Sequence, residues 1–179
     1  MVIANLASQL NAGTILPEGI VIATLMAVIC FDLIVGRTSI RWTPYIAIGG
    51  LLLSLASLVY LWDSSTPISF LGAFNSDALS MVFRGIIVLS TATTILMSVR
   101  YVEQSGTSLA EFIAILLSAT LGAMFLCGAN ELVTIFVSLE TLSISSYLLT
   151  GYMKRDSRSN EAALKYLLIG AASSAVFLS

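Results

Sequence analysis

The stretch ELVTIFVSLETLSISSYLLTGY, residues 131–152, decides the fold class. Between Leu132 and Tyr152 it holds ten Leu, Ile, Val or Phe residues and one charged residue, Glu140. A helix that crosses a lipid bilayer needs about 20 mostly apolar residues. The stretch therefore predicts a transmembrane helix with an acidic group close to its middle.

The composition of the whole chain agrees with this prediction. Of its 179 residues, 58% are hydrophobic and 10% are charged, whereas soluble domains carry about 25% charged residues. A soluble globule and a disordered chain are both excluded. The net charge of −2 comes without a basic cluster, so no nucleic-acid partner is expected. The chain has no histidine, and Cys30 and Cys127 each lie in an apolar run, where they are interpreted as small hydrophobic residues.

Further apolar runs predict an all-α, polytopic transmembrane helix bundle that forms a single membrane domain over residues 1–179. The last run is still apolar at Ser179, so we expect the chain to be an N-terminal fragment of a longer membrane protein. Six transmembrane helices are predicted, at residues 15–35, 45–62, 78–102, 109–128, 132–152 and 160–179.

The loops between these helices predict the orientation of the chain. Basic residues gather in alternate loops, with Arg37 and Arg41 in the first and Lys154, Arg155 and Arg158 in the fifth. The second loop has acidic residues and no basic ones. The positive-inside rule places the basic loops in the cytoplasm or its equivalent. The N-terminus is then predicted on the lumenal side.

Charged residues inside these helices are costly in lipid and are candidates for function. Glu18, Asp32 and Glu111 stand near helix ends, where we expect them to reach the membrane interface. Arg84 stands about two turns into the third helix. An arginine at that depth can extend its head group to the interface, so a structural role and a place in a charge relay both stay open for Arg84.

Glu140 lies too deep to reach the interface through its short side chain. An acidic residue at a helix centre costs roughly 2.5 to 3.5 kcal/mol on insertion scales. Thr134, Ser138, Thr141 and Ser145 form a hydroxyl stripe on the same helix, which favours close contact with another helix. One interpretation is a neutral glutamic acid that ties helices together. We favour the other, in which Glu140 is a carboxyl that binds and releases a proton.

Lys165 is the second candidate, and it lies one helical turn after Glu161. Such a pair is an ordinary helix-stabilising feature, but the lysine can also belong to a charge relay with Glu140, with Glu161 as a further candidate member. The run of small residues 170–175 predicts that the sixth helix packs tightly against a neighbour.

Several of these segments resemble a known family. Residues 130–132, 138–143, 146–147 and 151–152 resemble the fifth-helix signature of the antiporter-like membrane subunits of respiratory complex I, and residues 159–166 resemble the start of their sixth helix. The whole chain, including residues 100–103, is similar to the subunit 2 family of the photosynthetic NAD(P)H–plastoquinone oxidoreductase, the NDH complex of cyanobacteria and plastids.

The resemblance implies the first part of an antiporter-like fold of about fourteen helices, with two inverted five-helix repeats that each contain a broken helix. By position, Glu140 matches the family's fifth-helix glutamate and Lys165 its sixth-helix lysine, in a chain of charges that passes protons when quinone is reduced elsewhere. The family's later lysines and its second repeat would follow Ser179. A translocase subunit in the thylakoid membrane is thereby implied, with other membrane subunits of the NDH complex and the lipid bilayer as its partners.

The resemblance also implies that flavin or ferredoxin input, iron–sulfur clusters and plastoquinone belong to other subunits. The chain has no cysteine cluster and no glycine-rich dinucleotide loop, so we expect no cofactor, no metal and no redox chemistry on this chain alone. Two other functions stay open. They are a stand-alone cation/proton antiporter and a truncated, non-pumping fragment that serves assembly or interaction.

Overall fold

Six α-helices build the part of the chain that the computed structural model describes, which is residues 12–35, 42–62, 68–69, 73–105, 107–153 and 156–178. The prediction of an all-α membrane bundle is confirmed. A short 3-10 helix, Ala12–Ile15, leads into the first α-helix. The helices are α1 (Leu16–Val35), α2 (Thr43–Leu61), α3 (Ala78–Ser105), α4 (Leu109–Gly128), α5 (Leu132–Thr150) and α6 (Ser157–Leu178).

Helix ends differ from the predicted spans by a few residues, for local reasons. Helix α2 begins at Thr43 because Pro44 is tolerated in the first turn, where its missing N–H needs no partner. Helix α3 continues to Ser105, past the apolar run. Helix α5 ends at Thr150, and Gly151 is its C-cap.

Five of the described helices, α1 to α5, are long and apolar enough to cross a membrane. Helix α6 carries Glu161 and Lys165 in its first half and is not among these five. Its crossing therefore stays a prediction. The orientation also stays a prediction, because Arg37, Arg41, Asp63, Lys154 and Arg155 lie outside the described residues.

A small antiparallel hairpin precedes α3, which the sequence analysis did not anticipate. Its strands are β1 (Ile68–Ser69) and β2 (Phe74–Asn75). Phe74 forms a further antiparallel bridge with Ala129, and the Asn130 N–H donates to the Ala73 carbonyl oxygen at 3.0 Å. The start of α3 is thus joined to the end of α4. We call this end of the bundle the hairpin end.

Helix α4 is the centre of the described bundle. It packs against α1, α2, α3 and α5, and half of the residues in its apolar segment are buried. Helix α3 contributes a seven-residue repeat to the core. The buried side chains of this core on α3 and α4 are Val88, Ile95, Val102, Leu109, Ala110, Ile113, Leu117, Leu121 and Met124.

Helices α4 and α5 approach each other closely at Gly122. A Cβ atom at this position would lie 2.7 Å from the main-chain nitrogen of Leu142 and 3.0 Å from the carbonyl oxygen of Ser138. Ser138 and Ser145 are buried, and their hydroxyls donate to carbonyl oxygens four residues earlier on α5. The hydroxyl stripe therefore lies partly on the face of α5 that contacts α4. The Ser138 and Ser145 hydroxyls of this face form their hydrogen bonds within α5 itself.

Candidate functional site

Glu140 stands near the middle of α5. It is two residues after Ser138, whose carbonyl oxygen lies against Gly122 of α4. Its side chain is half-buried. Two ion pairs are found among the described residues, Arg84–Glu18 and Lys165–Glu161, and Glu140 takes part in neither. The structure thus places this carboxyl near the middle of a helix that is long and apolar enough to cross a membrane, and the described residues provide no ion-pair partner for it.

Lys165 is joined to Glu161 and not to Glu140. The distance between Lys165 Nζ and Glu161 Oε1 is 2.5 Å, and the two side chains are 69% and 65% exposed. This is the helix-stabilising contact that the spacing of the two residues predicts. A relay role for Lys165, Glu161 and Glu140 stays a prediction.

Helix α6 nevertheless packs against α5 close to Lys165. The rings of Tyr147 and Tyr166 meet edge to face, with 4.8 Å between their centroids. A Cβ at Gly170 would overlap the Tyr147 hydroxyl, so a larger residue there would require the Tyr147 side chain to move. The other small residues of segment 170–175 are exposed or half-buried.

A second charged site joins α1 to α3 at the hairpin end. Arg84 Nη1 lies 3.1 Å from Glu18 Oε1, and both side chains are completely buried. The expectation that Glu18 reaches the interface is therefore wrong, because a guanidinium inside the protein pairs with it. Arg84 likewise does not extend to water. Asp32 is half-buried and Glu111 is exposed in the first turn of α4.

Neutral oxygens hold the rest of the Arg84 guanidinium. Its Nε and Nη2 donate to Ser80 Oγ at 3.1 and 2.9 Å, and Nη2 also donates to Ser76 Oγ at 3.1 Å. A longer contact of 3.5 Å reaches the Asn75 carbonyl oxygen. The guanidinium carbon lies 4.8 Å from the centroid of the Phe74 ring, within cation–π range.

The carboxylate side of this site is less well satisfied. Glu18 Oε2 and the side-chain oxygen of Asn75 are buried and have no hydrogen-bond partner among the described residues. Such groups are rare in native proteins and call for an explanation. Cys127, near the end of α4, is close enough to interact electrostatically with both Arg84 and Glu18.

The opposite end of the bundle is closed by Tyr152, just after α5. Its hydroxyl donates to the carbonyl oxygen of Ser108, the residue that caps α4, and its ring meets Phe112 at 5.4 Å between centroids. Burial, with Glu111 nearby, raises the pKa of Tyr152. The phenol therefore stays neutral and keeps its hydroxyl as a donor.

Sequence reasoning missed the pairing of Glu18 with Arg84. The signal available was weak, namely opposite charges in the first two turns of two helices that begin at the same end of the bundle. A distance between residues 66 positions apart cannot be read from such a pattern. Among the described residues, no group of three potential metal-ligating side chains is found.

Comparison with known families identifies the chain. Residues 4–100 match the family model described as NAD(P)H-quinone oxidoreductase subunit 2 N-terminal. The chain belongs to the NAD(P)H-quinone oxidoreductase subunit 2 family. In this family the chain is similar to subunit 2 of Nostoc punctiforme, at 75% identity over 98% of this chain and 33% of the relative. It is also similar to subunit 2 of Acaryochloris marina, at 68% identity over 99% of this chain and 34% of that relative. The chain thus spans about a third of the length of these relatives.

A second family model, NADH:quinone oxidoreductase/Mrp antiporter, TM, matches residues 129–179. A solved structure has a similar fold over most of this chain. It is a chain of respiratory complex I from Thermus thermophilus with bound aureothin, with a TM-score of 0.72 and 30% identity over 90% of this chain and 34% of that chain. In this subunit 2 family member, the Glu18–Arg84 pair lies in the N-terminal family segment, and Glu140 and Lys165 lie in the antiporter segment.

Proposed function

We propose that this chain is part of a membrane subunit of a proton-translocating NAD(P)H (or ferredoxin)–plastoquinone oxidoreductase, and that it carries part of a proton pathway coupled to quinone reduction in other subunits. One observation carries the proposal. The antiporter family model covers residues 129–179, and this segment contains the mid-membrane carboxyl of Glu140 on a helix with a packed hydroxyl face.

The chemistry that we assign to Glu140 is the binding and release of a proton. A carboxyl at this depth is costly in its charged form, and its protonation responds to nearby charge. Lys165 would supply that charge from α6. Its exposed pair with Glu161 is of a kind that contributes only about 0–1 kcal/mol, so the lysine head group can leave this partner at little cost.

We also propose that the redox components of the complex lie outside this chain. Flavin or ferredoxin input, iron–sulfur clusters and plastoquinone are placed in other subunits, and other membrane subunits of the complex are the proposed partners. The cyanobacterial relatives support a thylakoid location, and the alternation of basic loops supports a lumenal N-terminus.

The test is the substitution Glu140→Gln in the full-length subunit within its assembled complex. Glutamine keeps the shape and hydrogen-bonding capacity of glutamate but cannot titrate. We expect proton pumping and coupled quinone reduction, each measured per assembled complex, to fall several-fold while assembly is intact. Glu111→Gln, at an exposed helix start, is the matched control and should pump normally. Wild-type turnover in Glu140→Gln would remove Glu140 from the pathway.

A second candidate is a stand-alone cation/proton antiporter, which the description of the matched family, with its mention of Mrp antiporters, favours. The full-length protein, purified and placed alone in vesicles, would then exchange a cation against a proton gradient. Exchange that occurs without the other subunits supports this candidate. Proton movement that needs the whole complex and quinone reduction supports the first.

A further inference from the structure

The Glu18–Arg84 site holds its cation more completely than its anion. Arg84 donates to oxygens of Ser76, Ser80 and Asn75 as well as to Glu18. Glu18 accepts from Arg84 through Oε1, whereas its buried Oε2 has no partner in the described chain. A permanently charged carboxylate in this position would have one oxygen desolvated and uncompensated.

We propose that Glu18 is a reversible proton-binding site at the hairpin end, separate from Glu140. A proton from water at that end adds to Oε2 and forms an O–H bond, and the same bond breaks on release. The pair then changes from a net charge of zero to +1. The new O–H group needs an acceptor. The side-chain oxygen of Asn75, a residue whose carbonyl oxygen contacts Arg84, is also without a partner among the described residues.

Arg84 keeps its place when Glu18 is neutral. The contacts to Ser76, Ser80 and the Asn75 carbonyl involve uncharged oxygens, and the Phe74 ring lies against the guanidinium. None of these contacts depends on the charge of Glu18. The loss of one anion therefore leaves the cation solvated by the protein, and the site survives proton uptake.

The site lies close to the ends of the helices that build it. Glu18 is the third residue of α1 and Arg84 the seventh of α3, so at about 1.5 Å per residue both lie within roughly 10 Å of the helix starts. The ionisable groups that interact with Glu18 from the described helices are Arg84 on α3 and Cys127 on α4. Helix α2 faces the start of α1 through the Ser54 hydroxyl, which donates to the Pro17 carbonyl oxygen.

This inference does not rest on the proposed function, because proton binding by Glu18 is a property of the resting protein. It can fail while Glu140 carries protons, and it can hold in a protein that does not pump. The experiment therefore detects the protonated carboxyl itself and not the activity of the complex.

Infrared spectroscopy of the full-length protein in membranes, recorded over a range of pH, tests the proposal. We expect a carbonyl band of a protonated carboxylic acid that grows on acidification and shifts in D₂O. This band should be lost in Glu18→Gln and kept in both Glu140→Gln and Glu111→Gln. The same band in Glu18→Gln as in the wild type would overturn the proposal.

If Glu18→Gln does not accumulate in membranes, two further measurements test the proposal. In Glu18→Asp the carboxyl is kept but is one methylene shorter, so the band should move in frequency or in its pH midpoint. An unchanged band would assign the signal to another residue and overturn the proposal. The proposal also fails if the wild type has no such band at any pH at which it is folded, because Glu18 would then be permanently ionised, with water bound at Oε2.

Discussion

Arg84 and Glu18 form one buried pair at the scale of residues, and Glu18 depends on the pair more than Arg84 does. Isolated charges inside a protein cost several kcal/mol each, and a pair recovers this cost only when its hydrogen bonds are well placed. Arg84 has well-placed hydrogen bonds to Ser76 and Ser80. By contrast, one of the two carboxylate oxygens of Glu18 has no partner among the described residues. Removing Arg84 alone is therefore expected to destabilise the protein more than removing both charges.

We expect Arg84→Met to destabilise the protein by up to about 3–5 kcal/mol at neutral pH, since the Glu18 carboxyl is then buried without a cation and must either stay charged or take up a proton. The double variant Glu18→Leu/Arg84→Met should recover most of this loss. Resistance to thermal unfolding in detergent, measured for the wild type, both single variants and the double variant, gives the interaction energy of the pair. A double variant no more stable than Arg84→Met would show that the two charges act independently.

The depth of Glu140 could be predicted from sequence because it depends only on counting residues along one apolar helix. The partners of charged residues could not, because they depend on how helices pack. The position of Glu18 in the first turn of α1 predicts that it reaches the membrane interface. In the structure it is buried and paired with Arg84, which lies 66 residues later in the chain. The Lys165–Glu161 contact was predictable because both residues share one helix face.

At the scale of elements, the fit between α4 and α5 depends on the absence of a side chain at Gly122. The helices could be predicted from their apolar runs, but this contact could not, since a glycine in a membrane helix has the same sequence pattern whether it faces lipid or a neighbour. The hairpin could not be predicted from the sequence either. Its strands have two residues each, too few to show the alternation that predicts a strand.

Gly122→Ala should destabilise the α4–α5 contact by about 1–3 kcal/mol, the usual cost of overpacking, because the new methyl group meets the α5 backbone. Gly49→Ala on α2 is the matched control, since a Cβ there has no neighbour within 4 Å. The control should be as stable as the wild type or slightly more so. The same heat-resistance assay in detergent compares the two variants, and equal stability would mean that α5 can move away from α4 freely.

At the scale of the whole molecule, consecutive helices pack beside one another and α4 also contacts α1, so the first four helices form a closed group. Helix α5 lies against the α4 side of this group and α6 lies against α5. The group carries the Glu18–Arg84 site, and α5 and α6 carry Glu140 and Lys165. The two sets of charges therefore belong to different parts of the bundle.

The orientation of the bundle leads to a labelling prediction. A cysteine at Ser157, beside the basic fifth loop, should react with a membrane-impermeant reagent from the cytoplasmic side. One at Ser64, in the acidic second loop, should react from the lumenal side only. Both are placed in a background without Cys30 and Cys127, because Cys30 is exposed and Cys127 half-buried. The reverse pattern of labelling would invert the orientation.

The distance along the chain between Glu18 and Arg84 also has a consequence for synthesis. Helix α1 leaves the ribosome 66 residues before the arginine that neutralises its glutamate. At about 5–20 residues per second, the interval is roughly 3–13 s. During that time the carboxyl has no partner from α3, so it must either stay close to water or to the insertion machinery, or take up a proton. The arrival of α3 then supplies the cation with which the charged form of Glu18 is buried.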